Sequence, residues 1–275
     1  MIAPTTLVTG LLFYFGFART RAQGAYFGID TSVLGFSSQD YLLRSVDTTF
    51  WPVSMILLLS LGAGLLHSAA NRWIETVRAP GRALRLGLAL AAAGLLSFGF
   101  GLLNILWRPV VSADRVFLVP MTLVLGVSAA SYGGYLAVRA RWAMSASSSS
   151  PPVHHRPSRF HVGVLATLVI LGLFWTVGDY ADGVGRQRAR SLAMNLSVLP
   201  SVVVYSRSPL FLDGPGIEVR TLGRGRDRLY RYSGLRLLIH AQDKYFLLPE
   251  GWTAQSGQAI VLPDAEAVRF DFSAR

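Results

Sequence analysis

The fold class this sequence predicts is an α-helical transmembrane bundle of five spans, followed by a small all-β C-terminal domain, a barrel or sandwich. Three observations lead there. The chain of 275 residues is only 15% charged, against about 25% in soluble domains. Its mean hydropathy of +0.42 comes from long apolar runs in the first two thirds. After residue 181 the pattern changes to short β-branched and aromatic runs separated by turn residues. The implied domains are 1–181 and 182–275.

A helix needs roughly 20 apolar residues to cross the hydrocarbon core. Ile2–Ala18, Phe50–Ala70, Leu86–Trp107, Val116–Val138 and Val162–Ala181 meet that pattern. The first has no basic residues before it, Arg19 and Arg21 follow it, and no small-x-small cleavage site stands out, so it reads as an uncleaved span rather than a signal peptide. Ser60, Gly64 and Ser68, then Ala89, Ala93, Ser97 and Gly101, then Gly126, Ala130 and Gly134 recur at intervals of four. Each set falls on one helix face, where small residues let another backbone approach. Tight packing of spans two to four is the expected role. A pore lined by these stripes is the rival, and a homo-oligomer is compatible with either.

The stretch from Arg19 to Thr49 is aromatic-rich. Asp30 is placed to cap a short turn through Leu34, with Gly35 ending it. Ser37 or Ser38 then caps a second segment with Asp40 in its first turn. Tyr41, Leu42, Leu43, Val46, Phe50 and Trp51 define an interfacial helix lying on the bilayer, and Pro52 suits the first turn of the next span. Residues 144–158 form a Ser/Pro-rich linker.

The loops 71–85 and 139–161 hold eight arginines, against five in 19–49 and 107–115. The positive-inside rule therefore puts the N-terminus in the cytoplasm and the C-terminal domain outside, in a cell-membrane protein. Beyond the last span, 186–196 reads as an amphipathic helix. Eight strands follow, at 198–205, 210–212, 217–222, 229–232, 235–240, 245–248, 259–262 and 268–272, with turns at 213–216 and 241–244.

Tyr26-Phe27-Gly28-Ile29-Asp30, Asp40-Tyr41-Leu42-Leu43-Arg44-Ser45 and Tyr245-Phe246-Leu247-Leu248-Pro249-Glu250 resemble stretches of uncharacterised actinobacterial multi-span membrane proteins. The resemblance implies no activity and transfers no catalytic residue. A bacterial origin also fits the arginine bias, since Lys244 is the one lysine among 26 basic residues.

Site chemistry is sparse. The absence of cysteine excludes disulfides and thiol catalysis. His67, Asn104 and Asp179 sit near span ends rather than forming a relay across the membrane. His154 and His155 in the linker and His161 just after it have no nearby carboxylate to orient them, so no metal is expected. Ser233, His240 and Asp243 supply the residue types of a hydrolase triad but not its strand–turn–helix context. No phosphate-binding glycine loop appears, and no cofactor is expected. Tyr230, Tyr232, Tyr245, Phe246 and Trp252 read as β-domain core.

The basic segment Arg220, Arg224, Arg226, Arg228 and Arg231 is the candidate anion- or partner-binding site, since several guanidiniums suit a polydentate anion. The net charge of +11 and pI near 10.6 are assigned to headgroup contact beside spans, not to nucleic acid. The expected function is non-enzymatic: an integral membrane protein presenting an extracytoplasmic β domain to a protein partner or an anionic envelope component. A channel or transporter subunit, and a membrane-anchored cytosolic regulatory domain, are the alternatives.

Overall fold

The computed structural model describes residues 4–76, 80–106, 118–145, 159–223, 228–255 and 257–273. Its helices are α1 (Pro4–Tyr26), α2 (Thr31–Leu34), α3 (Ser38–Thr76), α4 (Pro80–Leu106), α5 (Leu118–Ser145) and α6 (Arg159–Met194). A 3-10 turn, Leu196–Val198, leads into β1 (Ser201–Ser206), β2 (Glu218–Leu222), β3 (Leu229–Ala241), β4 (Lys244–Pro249), β5 (Ile260–Pro263) and β6 (Val268–Ser273).

Four of the described helices contain segments long and apolar enough to cross a membrane: Ser38–Arg72, Gly81–Leu106, Leu118–Met144 and Val162–Met194. Five were expected. The described part of α1 does not qualify, because Thr5, Thr6 and Thr9 open it and Arg19, Thr20, Arg21 and Gln23 close it. Arg19, Thr20 and Gln23 are buried together with Phe15, Ala18 and Ala22. Two helices also run further than expected. Pro52 lies inside α3 rather than at the start of a span, so the interfacial segment and the apolar segment are one helix. Pro52 withholds the N–H that the Thr48 carbonyl would otherwise receive, a loss that long apolar helices tolerate. The 186–196 segment is the end of α6 as far as Met194.

The described chain forms two units, residues 50–180 and residues 1–49 with 181–275. In the first, α4 and α5 meet backbone to backbone. A Cβ at Gly94 would run into Ala130 and Gly126, one at Gly133 into Ala91 and Gly87, and one at Gly126 into Phe98 and Gly94. These contacts repeat every seven residues (Gly87, Gly94 and Gly101; Gly126 and Gly133), the period that keeps two supercoiled helices in register. Ser97 adds a hydroxyl bond to the Thr122 carbonyl at 3.0 Å. Gly101, Gly126 and Ala130 lie in this interface, while Ala89 and Ala93 are exposed and a Cβ at Gly134 would meet nothing within 4 Å. Ser60, Gly64 and Ser68 face away from the described protein, the two serines bonding to carbonyls four residues back.

In the second unit the C-terminal segment is a single six-stranded antiparallel sheet of order β5-β4-β3-β1-β6, with β2 also paired to β3. The described ladders leave the path open rather than closed as a barrel. Two expected strands are merged in β3. Gly234, at φ +82°, lets the strand bend where any Cβ would strike the Gly216 carbonyl. Strand β2 pairs with the first half of β3 and β4 with the second. The expected 210–212 strand is a loop.

Both sheet faces are apolar at their centres. Val202, Val204, Tyr232, Leu235, Leu247 and Leu262 form one core, and Tyr245 stacks on Phe270 across it at 4.0 Å. On the other face Phe246, Leu248, Ala241 and Trp252 pack on Phe27, Ile29 and Leu34 from the α1–α2 segment and on Ala189 of α6.

Close packing at Gly94 gives the first prediction. Gly94→Leu, overpacking a helix contact, should destabilise the protein by about 1–3 kcal/mol. Gly64→Leu, at a position with nothing within 4 Å, should change stability by less than about 0.5 kcal/mol. Thermal unfolding in a neutral detergent measures both.

Candidate functional site

The α1–α2 segment is fixed by local chemistry visible in the residues. The Asp30 carboxylate accepts the Ser32 N–H at 2.8 Å, and Gly35 ends α2 at φ +63°. Ser37 and Asp40 exchange bonds at the start of α3. The Ser37 N–H and hydroxyl donate to Asp40 Oδ2 at 2.9 and 2.7 Å, and the Asp40 N–H donates to Ser37 Oγ at 3.3 Å. This reciprocal cap sets the direction in which α3 starts. Tyr26 and Phe27 then reach Trp252 with ring centroids 6.1 and 5.0 Å apart.

Helix α1 is held between the start of α3 and the end of α6. A Cβ at Gly16 would collide with the Tyr41 carbonyl, and one at Gly185 with the Arg19 carbonyl. Arg19, only 7% exposed, donates through Nη1 to the Arg44 carbonyl at 2.6 Å and pairs with Asp47 at 3.4 Å. Burial, and next the charge of Arg188, hold the Arg19 guanidinium below the usual arginine range. Arg44 lies 4.3 Å above the Phe36 ring. Beside this cluster a pocket of about 310 Å³ is lined by Arg21, Ala22, Ala25, Tyr26, Asp182 and Arg186. The sequence reading did not single out Arg19, Arg44 or Arg188, because they lie far apart in the chain.

The basic segment takes a form that single-strand periodicity does not reveal. Arg220 pairs with Arg231, Arg231 with Tyr205, and Tyr205 with Arg269. Cross-strand partners share a face, so three arginines and one tyrosine form a row across β2, β3, β1 and β6. The row lies on the face opposite Val204 and Tyr232. With strands about 4.8 Å apart it extends roughly 14 Å. Glu218 bonds Arg220 at 3.1 Å and Asp271 bonds Arg269 at 2.9 Å, both largely exposed pairs. Arg228 is exposed, and Arg224 and Arg226 lie outside the described residues.

No protein-family model, curated protein or solved structure matches the chain.

Other candidates separate. Ser233, in the half of β3 paired with β2, and His240, in the half paired with β4, are roughly 23 Å apart at strand rise. His240 stacks on Tyr245 at 4.3 Å, and Asp243 lies in the hairpin turn. His67 meets Asn71 at 3.0 Å and the rings of Tyr132 and Tyr135. Asn104 donates to the Phe100 carbonyl at 2.8 Å, and Asp179 is half-buried on α6. His154 and His155 lie outside the described residues; His161 is within α6. Among the described residues no three His, Asp or Glu side chains are grouped as metal ligands. Tyr232, Phe246 and Trp252 are buried, with Tyr230 and Tyr245 packed against the inner core. On α3, Leu43, Val46, Phe50 and Trp51 are exposed, Leu42 is half-buried, and Tyr41 is buried beneath Phe13, Phe17 and Phe36.

One exposed feature carries backbone strain. Phe211 is 87% exposed and sits at φ +50°, a region bulky residues seldom occupy. Its neighbours explain it: Leu210 and Leu212 pack into the sheet core, and the Leu210 N–H donates to the buried Tyr232 hydroxyl at 2.8 Å. With both flanking residues held inward, the Phe211 side chain is directed to solvent.

Two outcomes follow for this unit. Phe211→Gly should be more stable than Phe211→Ala by about 1 kcal/mol, because only glycine occupies that backbone region without steric cost; paired thermal melts read the difference. Hydrogen bonds from Ser32 keep the Asp30 carboxyl below the ordinary carboxylate range. The folded-state value is the lower one, so the cap contributes fully above the unfolded value, near pH 4, and is lost as pH falls through the folded value. Asp30→Asn should flatten that acid limb, followed through Trp252 fluorescence.

Proposed function

We propose that this protein is a non-enzymatic membrane protein whose β domain binds an anionic envelope component or an acidic protein partner outside the cell. The observation that carries the reading is the Arg220–Arg231–Tyr205–Arg269 row. Like charges directly opposite on a ladder weaken the pair, so Arg220 facing Arg231 does not serve the sheet. An incoming polyanion relieves that repulsion and accepts fork-shaped hydrogen bonds from each guanidinium. Phe211 supplies an exposed aromatic on the loop that follows β1 in the same domain, of the kind that anchors protein interfaces.

The count of apolar helices supports that location. Four helices qualify as spans, and four crossings return a chain to the side it left. A unit assembled from residues 1–49 and 181–275 needs that return. With the arginines of 71–85 and 139–161 in the cytoplasm, this reading puts both parts of the unit outside, so the N-terminus, expected in the cytoplasm on a count of five spans, moves outside on a count of four.

The test is binding of the purified full-length protein to acidic vesicles or to a soluble polyanion. Replacing Arg220, Arg231 and Arg269 together by Ala should weaken binding roughly 100-fold, at about 1 kcal/mol per arginine, while the fold persists because Arg220 and Arg269 are exposed and Arg231 is only half-buried. Unchanged binding at low salt would refute the row as the site.

A further inference from the structure

We propose that the pocket between α1 and α6 binds a headgroup carrying both a phosphate and a primary ammonium, that of a phosphatidylethanolamine-type lipid. The site is separate from the arginine row on the sheet. One turn of each helix builds it. Arg21, Ala22, Ala25 and Tyr26 line the cavity from α1, Asp182 and Arg186 line it from α6, and its volume is about 310 Å³. The helices touch beside it at Gly185, where a Cβ would strike the Arg19 carbonyl and the Ala22 side chain. Ala22 and Ala25 carry no atom beyond Cβ, so the longer side chains around them enclose space instead of filling it. Both signs of charge line that space. Arg186 reaches the Asp182 carboxylate at 3.8 Å, a loose pair one turn apart in which both partners stay partly exposed. Arg21 is exposed, and among the described residues no hydrogen bond or ion pair holds its guanidinium. A phosphate accepts hydrogen bonds from Arg21 and Arg186, while an ammonium donates to Asp182. A simple anion would answer the arginines but meet the carboxylate, and a simple cation would do the reverse.

The position of the pocket favours a lipid over a soluble phosphoethanolamine ester. Asp182 and Arg186 belong to a helix segment apolar enough to cross a membrane, and they follow its apolar residues, at the level where a span meets headgroups. On α1, Leu7 and Tyr14 are 62% and 41% exposed. They precede Arg21 in two-turn steps, which puts all three on one helix face. An acyl chain therefore finds apolar surface leading away from the charged end. Ligand pockets run to roughly 300–1,000 Å³, so this one suits a headgroup with its tail left outside. The proposal rests on the membrane reading of α6 and is independent of the arginine row.

The experiment uses the full chain, purified in a neutral detergent and supplemented with phosphatidylethanolamine, phosphatidylglycerol, phosphatidylcholine or water-soluble glycerophosphoethanolamine. Phosphatidylethanolamine should raise the unfolding midpoint by on the order of 5 °C and remain bound in native mass spectra; the other three should do neither. Arg21→Gln and Ala25→Leu, both at exposed positions, should each weaken that binding on the order of tenfold, the second by filling the space. Arg207→Gln, at an exposed arginine of the β domain, should leave it intact. Asp182→Asn should remove the preference over phosphatidylglycerol. Equal stabilisation by phosphatidylglycerol or phosphatidylcholine overturns the ammonium assignment, and equal stabilisation by glycerophosphoethanolamine overturns the lipid assignment. Unchanged binding in both Arg21→Gln and Ala25→Leu overturns the pocket. Should Asp182→Asn fail to fold, the lipid comparison on the unaltered chain decides the ammonium assignment by itself. Failure of the membrane reading looks different: alkaline carbonate would then strip the protein from membranes.

Discussion

The contacts at Gly16 and Gly185 are the constraint on which the unit containing the β domain depends. Glycine at both positions lets α1 lie directly on the Tyr41 carbonyl and lets α6 lie directly on α1. Arg19 can then bury its stem and still reach Asp47 and the Arg44 carbonyl. The aromatic segment after α1 is delivered to the sheet from a fixed point, so Phe27 and Tyr26 meet Trp252. A side chain at either glycine would push the helices apart by roughly 1 Å or more, disturbing the ring contacts and the arginine cluster together.

The sheet has its own constraint at Gly234. The bend there lets one long strand serve two partners in line, β2 and then β4, while β1 runs along its other side. Register fixes everything that faces outward. Because side chains alternate strictly, the ladder that places Val204 opposite Tyr232 and Phe270 must place Tyr205 opposite Arg231 and Arg269. The basic row and the apolar core are two sides of one register. A slip of one residue would exchange them, which the burial of Val202 and Val204 forbids.

Local chemistry was legible in the sequence, and non-local chemistry was not. Asp30, Gly35, Ser37 and Asp40 announced their caps because a cap involves residues within a few positions of one another. The 241–244 hairpin, with Ala241 paired to Lys244, was readable for the same reason. Four apolar helices and a C-terminal antiparallel sheet followed from length and period. The fifth span did not, because α1 is apolar enough to invite the reading while its arginine, threonine and glutamine are buried by protein. Small residues at intervals of four drew attention on α4, yet the interface repeats at seven, and only the partner helix decides which glycines it touches. The merger of two strands required knowing that Gly234 takes a positive φ. The arginine row and cluster join residues from four strands and three helices, and a single sequence carries no signal of such adjacency.

The division of the chain also imposes an order in time. Phe27, Ile29 and Leu34 are synthesised early, but the residues that cover them, Ala189, Ala241, Phe246, Leu248 and Trp252, come much later. Roughly 200 residues separate them, which at about 5–20 residues per second is a delay of roughly 10–40 s. During that interval the early apolar surface has no native cover, and four helices long and apolar enough to cross a membrane are made before the chain can return to it. Closing so long a loop is slow, so Phe27 and Ile29 wait for their native cover until the last strands emerge.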